Sequence, residues 1–101
     1  MHGPPTPFAE RVLETVERIP RGKVMSYSDV AEFLGAGGGR AVGRVMSEWG
    51  SDVAWWRVVR ADGSPARGHE AEALLRLRRE RTPLHTGGGR VDMTSARWDG
   101  R

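Results

Sequence analysis

Val53-Ala54-Trp55-Trp56-Arg57-Val58-Val59 sits near the middle of the sequence, in its longest apolar run, and holds two of its four tryptophans. β-branched and aromatic residues of this kind favour a strand, and Trp55 to Arg60 reads as one. Side chains alternate faces along a strand, so Trp55 and Trp56 are expected to point in opposite directions. Periodicity leaves two outcomes open. Each indole can pack against a different layer of one small core, or one can anchor the core while the other faces a cavity.

On its C-terminal side the run leads into a turn and a return. Ala61-Asp62-Gly63-Ser64 carries the Asp-Gly hairpin signal, and Pro65-Ala66-Arg67 begins a returning edge strand. On its N-terminal side the chain is helical. Thr6-Pro7 is an N-cap with proline at the first helical position, and Phe8, Val12, Leu13, Val16 and Ile19 recur at helical spacing up to Pro20. Val24-Met25 is a very short extended segment. Ser26 and Asp29 form a capping box. They open a short helix with Val30, Phe33 and Leu34 on its buried side, closed by a left-handed Gly35.

After Ala36-Gly37-Gly38-Gly39 a second short helix runs from about Arg40 to Trp49 and stops at Gly50. Its apolar stripe is Val42, Val45, Met46 and Trp49, and its opposite face carries Arg40, Gly43, Arg44 and Ser47. Two short helices joined by a glycine turn make a helix-turn-helix, with the second as the reading helix. The hairpin then supplies a wing. The expected fold is mainly α with a small β hairpin, a winged helix-turn-helix in one domain spanning 1–101. A last helix, about Glu70 to Arg81, has Ala71, Leu74 and Leu75 inward. Val91 to Met93 and Trp98 return the tail to the body.

Composition narrows the function. There is no cysteine among 101 residues, which removes disulfides, thiolate metal sites and cysteine nucleophiles. His2, His69 and His85 have no ligand spacing, so neither metal nor cofactor is expected. Gly22-Lys23 lacks the leading glycine of a phosphate loop, and Val42 breaks a dinucleotide fingerprint starting at Gly37. No apolar run approaches the ~20 residues of a membrane span, and Met1 to Pro7 is unlike a signal peptide. The expectation is a soluble cytoplasmic monomer, nucleoid-associated if bacterial. The net charge is +3, and 15 of the 16 basic residues are arginine, whose planar fork suits phosphates and base edges. Residues alone therefore describe a binding module rather than an enzyme, and the arginine-rich charge permits a nucleic-acid partner. A winged-helix transcription regulator is one such module, but the reading face lacks the Asn or Gln that reads base edges.

Three stretches in register add a family. Gly22-Lys23-Val24-Met25-Ser26-Tyr27, Arg40-Ala41-Val42-Gly43 and Val53 to Val59 together resemble the DNA-binding domain of the O6-alkylguanine-DNA alkyltransferases. The likeness runs from about Phe8 to Trp98. Where that family has Pro-Cys-His-Arg-Val, with the methyl-accepting cysteine, this chain has Ala54-Trp55-Trp56-Arg57-Val58. Tryptophan in the cysteine's place is the mark of the alkyltransferase-like proteins. The resemblance implies a non-enzymatic sensor that binds O6-alkylguanine in double-stranded DNA through the minor groove. The lesion is flipped into a pocket without losing its alkyl group and is flagged to nucleotide excision repair proteins. Arg40 matches the arginine that enters the base stack, and Tyr27 the tyrosine that helps turn the nucleotide out. Ala41 and Gly43 match the small residues that let the helix sit deep in the groove, with Arg44 beside them on the basic face. Trp55, Met46 and Val58 match lesion-pocket positions, and Arg67 lies close to a basic pocket residue of some members. Ala54 stands for the usual proline. Trp56 stands for the histidine that would deprotonate a cysteine.

Overall fold

The computed structural model describes residues 3–101; His2, one of the three histidines, lies outside them. The helices fall where local signals put them. Thr6 caps α1 (Pro7–Arg18) by accepting from the Ala9 N–H at 3.1 Å. After the two-residue strand β1 (Met25–Ser26), Ser26 and Asp29 close the expected capping box at 3.0 and 2.9 Å and start α2 (Tyr27–Leu34). Gly35 ends it in the left-handed region. The reading helix α3 is Gly39–Trp49. The turn between them needs glycine at one point: Gly37 has φ +87°, and a Cβ there would lie 2.5 Å from the Phe8 ring. That close approach docks the helix-turn-helix onto α1.

The central run departs from the expected strand. Ala54 bends the chain, and Trp55–Arg57 form one turn of 3-10 helix, leaving only Val58–Val59 as β2. The cause is long-range. Arg57 donates to both oxygens of Glu80, at 2.9 and 2.6 Å, and to the Ile19 carbonyl at 2.8 Å. An extended 55–57 has no such restraint to satisfy.

The architecture is mainly helical, a winged helix-turn-helix, with one two-stranded sheet. Its strands are parallel rather than a hairpin: Met25 pairs with Val58 and Ser26 with Val59. The Asp-Gly turn forms, with the Gly63 N–H on the Arg60 carbonyl and the Arg60 N–H on the Ser64 carbonyl, both at 2.8 Å. The chain does not return as a strand because Gly63 is bound to Val91 instead. A Cβ at Gly63 would run into the Val91 carbonyl oxygen.

This ribbon divides the core. Met25 and Val58 face a cluster with Val12, Val16, Ile19, Val30, Val42 and Val45. Val24 and Val59, on the alternate face, join Leu77, Val91 and Ala96. The tail closes the second cluster as expected: the Val24 N–H bonds the Ala96 carbonyl and the Trp98 N–H the Val24 carbonyl, around the short helix α5 (Met93–Ala96).

Two buried faces differ from the pattern. In α2 the buried pair is Val30 and Ala31, while Phe33 is 39% exposed and leans on Trp98. In α4 (Glu70–Arg79) Ala73 and Leu77 are buried, not Ala71 and Leu75. Glu80 lies seven residues after Ala73 and three after Leu77, on their face. Drawing Glu80 inward to Arg57 rotates the helix so that this face meets the core.

Candidate nucleic-acid interface

A cavity of about 620 Å³ opens between α3 and the segment from Arg60 to Glu72. That volume lies within the ~300–1,000 Å³ range of small-ligand sites. One wall is α3 and its exit, with Gly43, Met46, Ser47, Gly50 and Ser51. Tyr27, the first residue of α2, closes one side and Trp55 another. The facing wall is polar: Arg60, Arg67, His69 and Glu72, with Ala66 between them.

The structure brings together Tyr27, Gly43, Met46, Trp55 and Arg67 from stretches far apart in sequence. Arg40 and Arg44 do not line the cavity. They are exposed on the same helical face as Gly43 and Ser47, beside the mouth. Ala41 is half-buried toward Gly37 in the turn. Val58 is corrected: it is 1% exposed in the first core cluster and does not line the cavity. As a β2 residue paired with Met25 it faces the core.

Trp55 is half-buried and makes two edge contacts, with Trp56 at 5.8 Å and His69 at 5.6 Å between ring centroids. Successive side chains of a 3-10 turn diverge by about 120°, not the 180° of a strand, so the two indoles meet edge to face. Trp56 packs against the second core cluster. The Arg57 and Arg76 guanidinium groups lie 5.6 and 4.6 Å from its ring centre.

Burial pushes the Tyr27 phenol up, and the positive charge of Arg60 pulls it only partly back. Tyr27 therefore presents a neutral O–H at physiological pH. At Glu80, burial pushes the carboxyl up, but the hydrogen bonds and charge of Arg57, with the nearby Trp56 N–H and the charge of Arg21, outweigh it and hold it below the usual range. The Trp56 Nε1 is buried and makes no hydrogen bond among the described residues. Its dipole acts on the carboxylate through space.

Gly43 is a glycine inside a helix, and nothing among the described residues requires it. A Cβ there would meet only Tyr27 Cδ1, at an ordinary 3.9 Å. Arg60, His69 and Glu72 carry no local signal of the site, since contacts distant in sequence, such as the Val91 N–H on the Gly63 carbonyl, place the segment that carries them. Among the described residues no group of His, Asp or Glu is gathered to hold a metal.

A family model described as 6-O-methylguanine DNA methyltransferase, DNA binding domain, matches residues 7–82. The DNA base-flipping protein of Escherichia coli (strain K12) is 33% identical over 100 residues, covering 91% of this chain and 74% of its own length. The methylated-DNA–protein-cysteine methyltransferase of Methanothermobacter thermautotrophicus is 34% identical over 74 residues, which is 72% of this chain but 42% of that enzyme. The crystal structure of S. pombe Atl1 in complex with damaged DNA containing O6-carboxymethylguanine superposes with a TM-score of 0.77 at 27% identity, covering 90% of this chain and 94% of that one. With the three matching stretches converging on one cavity, the chain belongs to the family of the 6-O-methylguanine DNA methyltransferase DNA-binding domain, as an alkyltransferase-like protein.

Proposed function

We propose that the chain is a non-enzymatic sensor of O6-alkylguanine in double-stranded DNA. Gly43 and Ala41 let α3 sit deep in the minor groove, and Arg40 and Arg44 meet the DNA beside the cavity mouth. Extruding a base costs a few kcal/mol, less when the pair is damaged. The Arg40 guanidinium recovers part of that by stacking in the vacated position. Tyr27, neutral and half-buried at the α2 N-terminus, helps rotate the nucleotide outward. The base enters the cavity between Met46 and Trp55.

The observation that carries this reading is the convergence of Tyr27, Gly43, Met46 and Trp55 on one base-sized opening. Trp55 offers an aromatic wall and no nucleophile, and the chain holds no cysteine elsewhere. The alkyl group thus has no acceptor and stays on the DNA. Something else must remove the lesion, and the bound complex is handed to nucleotide excision repair.

Titration of matched duplexes with and without one O6-methylguanine tests the reading. The lesion duplex is expected to bind at least tenfold tighter, and its mass should be unchanged after incubation. Equal affinities sink lesion recognition; methyl transfer to the protein sinks the sensor role.

A further inference from the structure

Alkylation at O6 changes the Watson–Crick edge of guanine at a second atom. Guanine carries a hydrogen on N1 and donates there. An O6-alkyl group locks the ring in the form whose N1 is bare and accepts. The N2 amino group donates in both. A cavity that places a fixed donor against N1 therefore prefers the alkylated base without touching the alkyl group.

We propose that Arg60 is that donor, and that it sets the preference of the cavity for O6-alkylguanine over guanine. The inference rests on the reading that the cavity takes a flipped base. Three observations single out Arg60. First, it is built in place. Its N–H and carbonyl are bonded to the Ser64 carbonyl and the Gly63 N–H at 2.8 Å, and its Nε donates to the Pro65 carbonyl at 3.0 Å. Pro65 is fully buried and Gly63 is tied to Val91, so the anchor is rigid. Second, the guanidinium keeps donors to spare. A guanidinium has five N–H groups, Nε uses one, and the nearest carboxylate, Glu70, stands 3.8 Å from Nη2. Third, the lining carboxylate Glu72 does not take up the Arg60 donors: it pairs within its own helix, receiving Arg76 Nε and Nη2 on one oxygen at 3.1 and 2.9 Å. Guanine would bring its N1–H against the Arg60 N–H groups, donor against donor, where the alkylated base brings an acceptor. Arg40 and Arg44 lie outside the cavity and attract DNA with and without a lesion alike.

The test isolates N1. Duplexes carry guanine, O6-methylguanine or O6-methyl-1-deazaguanine, in which a C–H replaces N1 and the methoxy group is kept. The native chain is expected to bind the deaza duplex on the order of tenfold more weakly than the O6-methylguanine duplex, the size of one hydrogen bond to a charged donor. Arg60→Ala is expected to bind those two equally. Arg60→Lys keeps the charge but lacks the planar fork that holds the Pro65 carbonyl through Nε while the Nη groups face N1, and is expected to lose most of the N1 dependence. It carries the test should Arg60→Ala fail to fold. A native chain that prefers O6-methylguanine over guanine yet ignores N1 overturns the role of Arg60 alone, as does an Arg60 variant that retains the tenfold ratio. A native chain with no preference between guanine and O6-methylguanine overturns the lesion-sensor reading itself.

Discussion

Trp55 and Trp56 are adjacent in sequence and touch edge to face, yet their surroundings differ in kind. Trp56 has a cation near its ring from each of two arginines and a hydrophobic cluster against it. Next to it Arg57 locks Glu80, whose side chain is 4% exposed, and the end of α1. Trp55 touches Trp56 and His69 by their edges and lines the cavity. One 3-10 turn thus separates a region that holds the molecule together from a region left partly uncovered. The difference teaches how a small domain keeps an open aromatic wall: the adjoining residues fix the backbone of the turn, so the wall needs no packing of its own.

Glu80→Ala breaks the stable side first and hardest. Removing one partner of a buried, hydrogen-bonded ion pair leaves Arg57 uncompensated, and costs ~3–5 kcal/mol. Urea unfolding should show it; a loss under ~1 kcal/mol would mean the pair does not hold the turn. Protonation gives a graded version. The folded carboxyl lies below its usual value of 4.5. Its contribution is therefore complete above that value and is lost as pH falls through the lower folded pKa. Glu80→Gln should flatten this acid limb of stability against pH.

The two tryptophans give the next contrast. Trp56→Ala is expected to cost stability near the lower end of the ~3–5 kcal/mol of buried Trp→Ala changes, since the ring is half-buried. Trp55→Ala should cost well under half as much, but should erase most of the preference for O6-methylguanine over guanine duplexes. Unfolding curves and titrations on the same two variants check both. An exchange of the two outcomes would reverse the assignment.

The same divide marks what the sequence reveals. Thr6-Pro7, the Ser26–Asp29 box, Gly35 and the stripe of α3 are local signals, and each element starts or stops on them. The Trp55–Arg57 turn, the rotation of α4 and the parallel pairing of Met25 with Val58 are not local. Arg57 reaches partners 23 and 38 residues away, and those bonds override the strand preference of the apolar run. In the site, the resemblance supplies Tyr27, Gly43, Met46, Trp55 and Arg67. It misplaces Val58 and is silent on Arg60, because the loop that carries Arg60 is positioned by Val91, far along the chain.

Gly43→Ala separates binding from folding in the opposite direction to Glu80. Alanine in a helix interior is more stable than glycine by ~0.5–1 kcal/mol, and the nearest atom its Cβ meets outside its own helix, among the described residues, is Tyr27 Cδ1 at 3.9 Å. The variant should unfold at higher urea while binding both guanine and lesion duplexes more weakly, because the added methyl meets the groove. A variant that binds as well as the native chain would show that α3 does not approach DNA at Gly43.

The smallest effect concerns the bend that starts the turn. Ala54 has φ −74° and ψ 65°, and the Trp55 N–H bonds the Val53 carbonyl at 2.7 Å, an inverse γ-turn. A proline ring fixes φ at about −65°, so the native conformation already suits it. Val53, at φ −113° and ψ 177°, is extended, as a residue before proline must be. Ala54→Pro should therefore stabilise the fold by ~0.4–1 kcal/mol, by restricting the unfolded chain alone. The urea midpoint should rise with an unchanged slope, and lesion preference should hold, since Trp55 keeps its place. A destabilised variant would mean that the bend needs the Ala54 N–H. The turn would then depend on a backbone hydrogen bond at its entrance as well as on Arg57 at its exit.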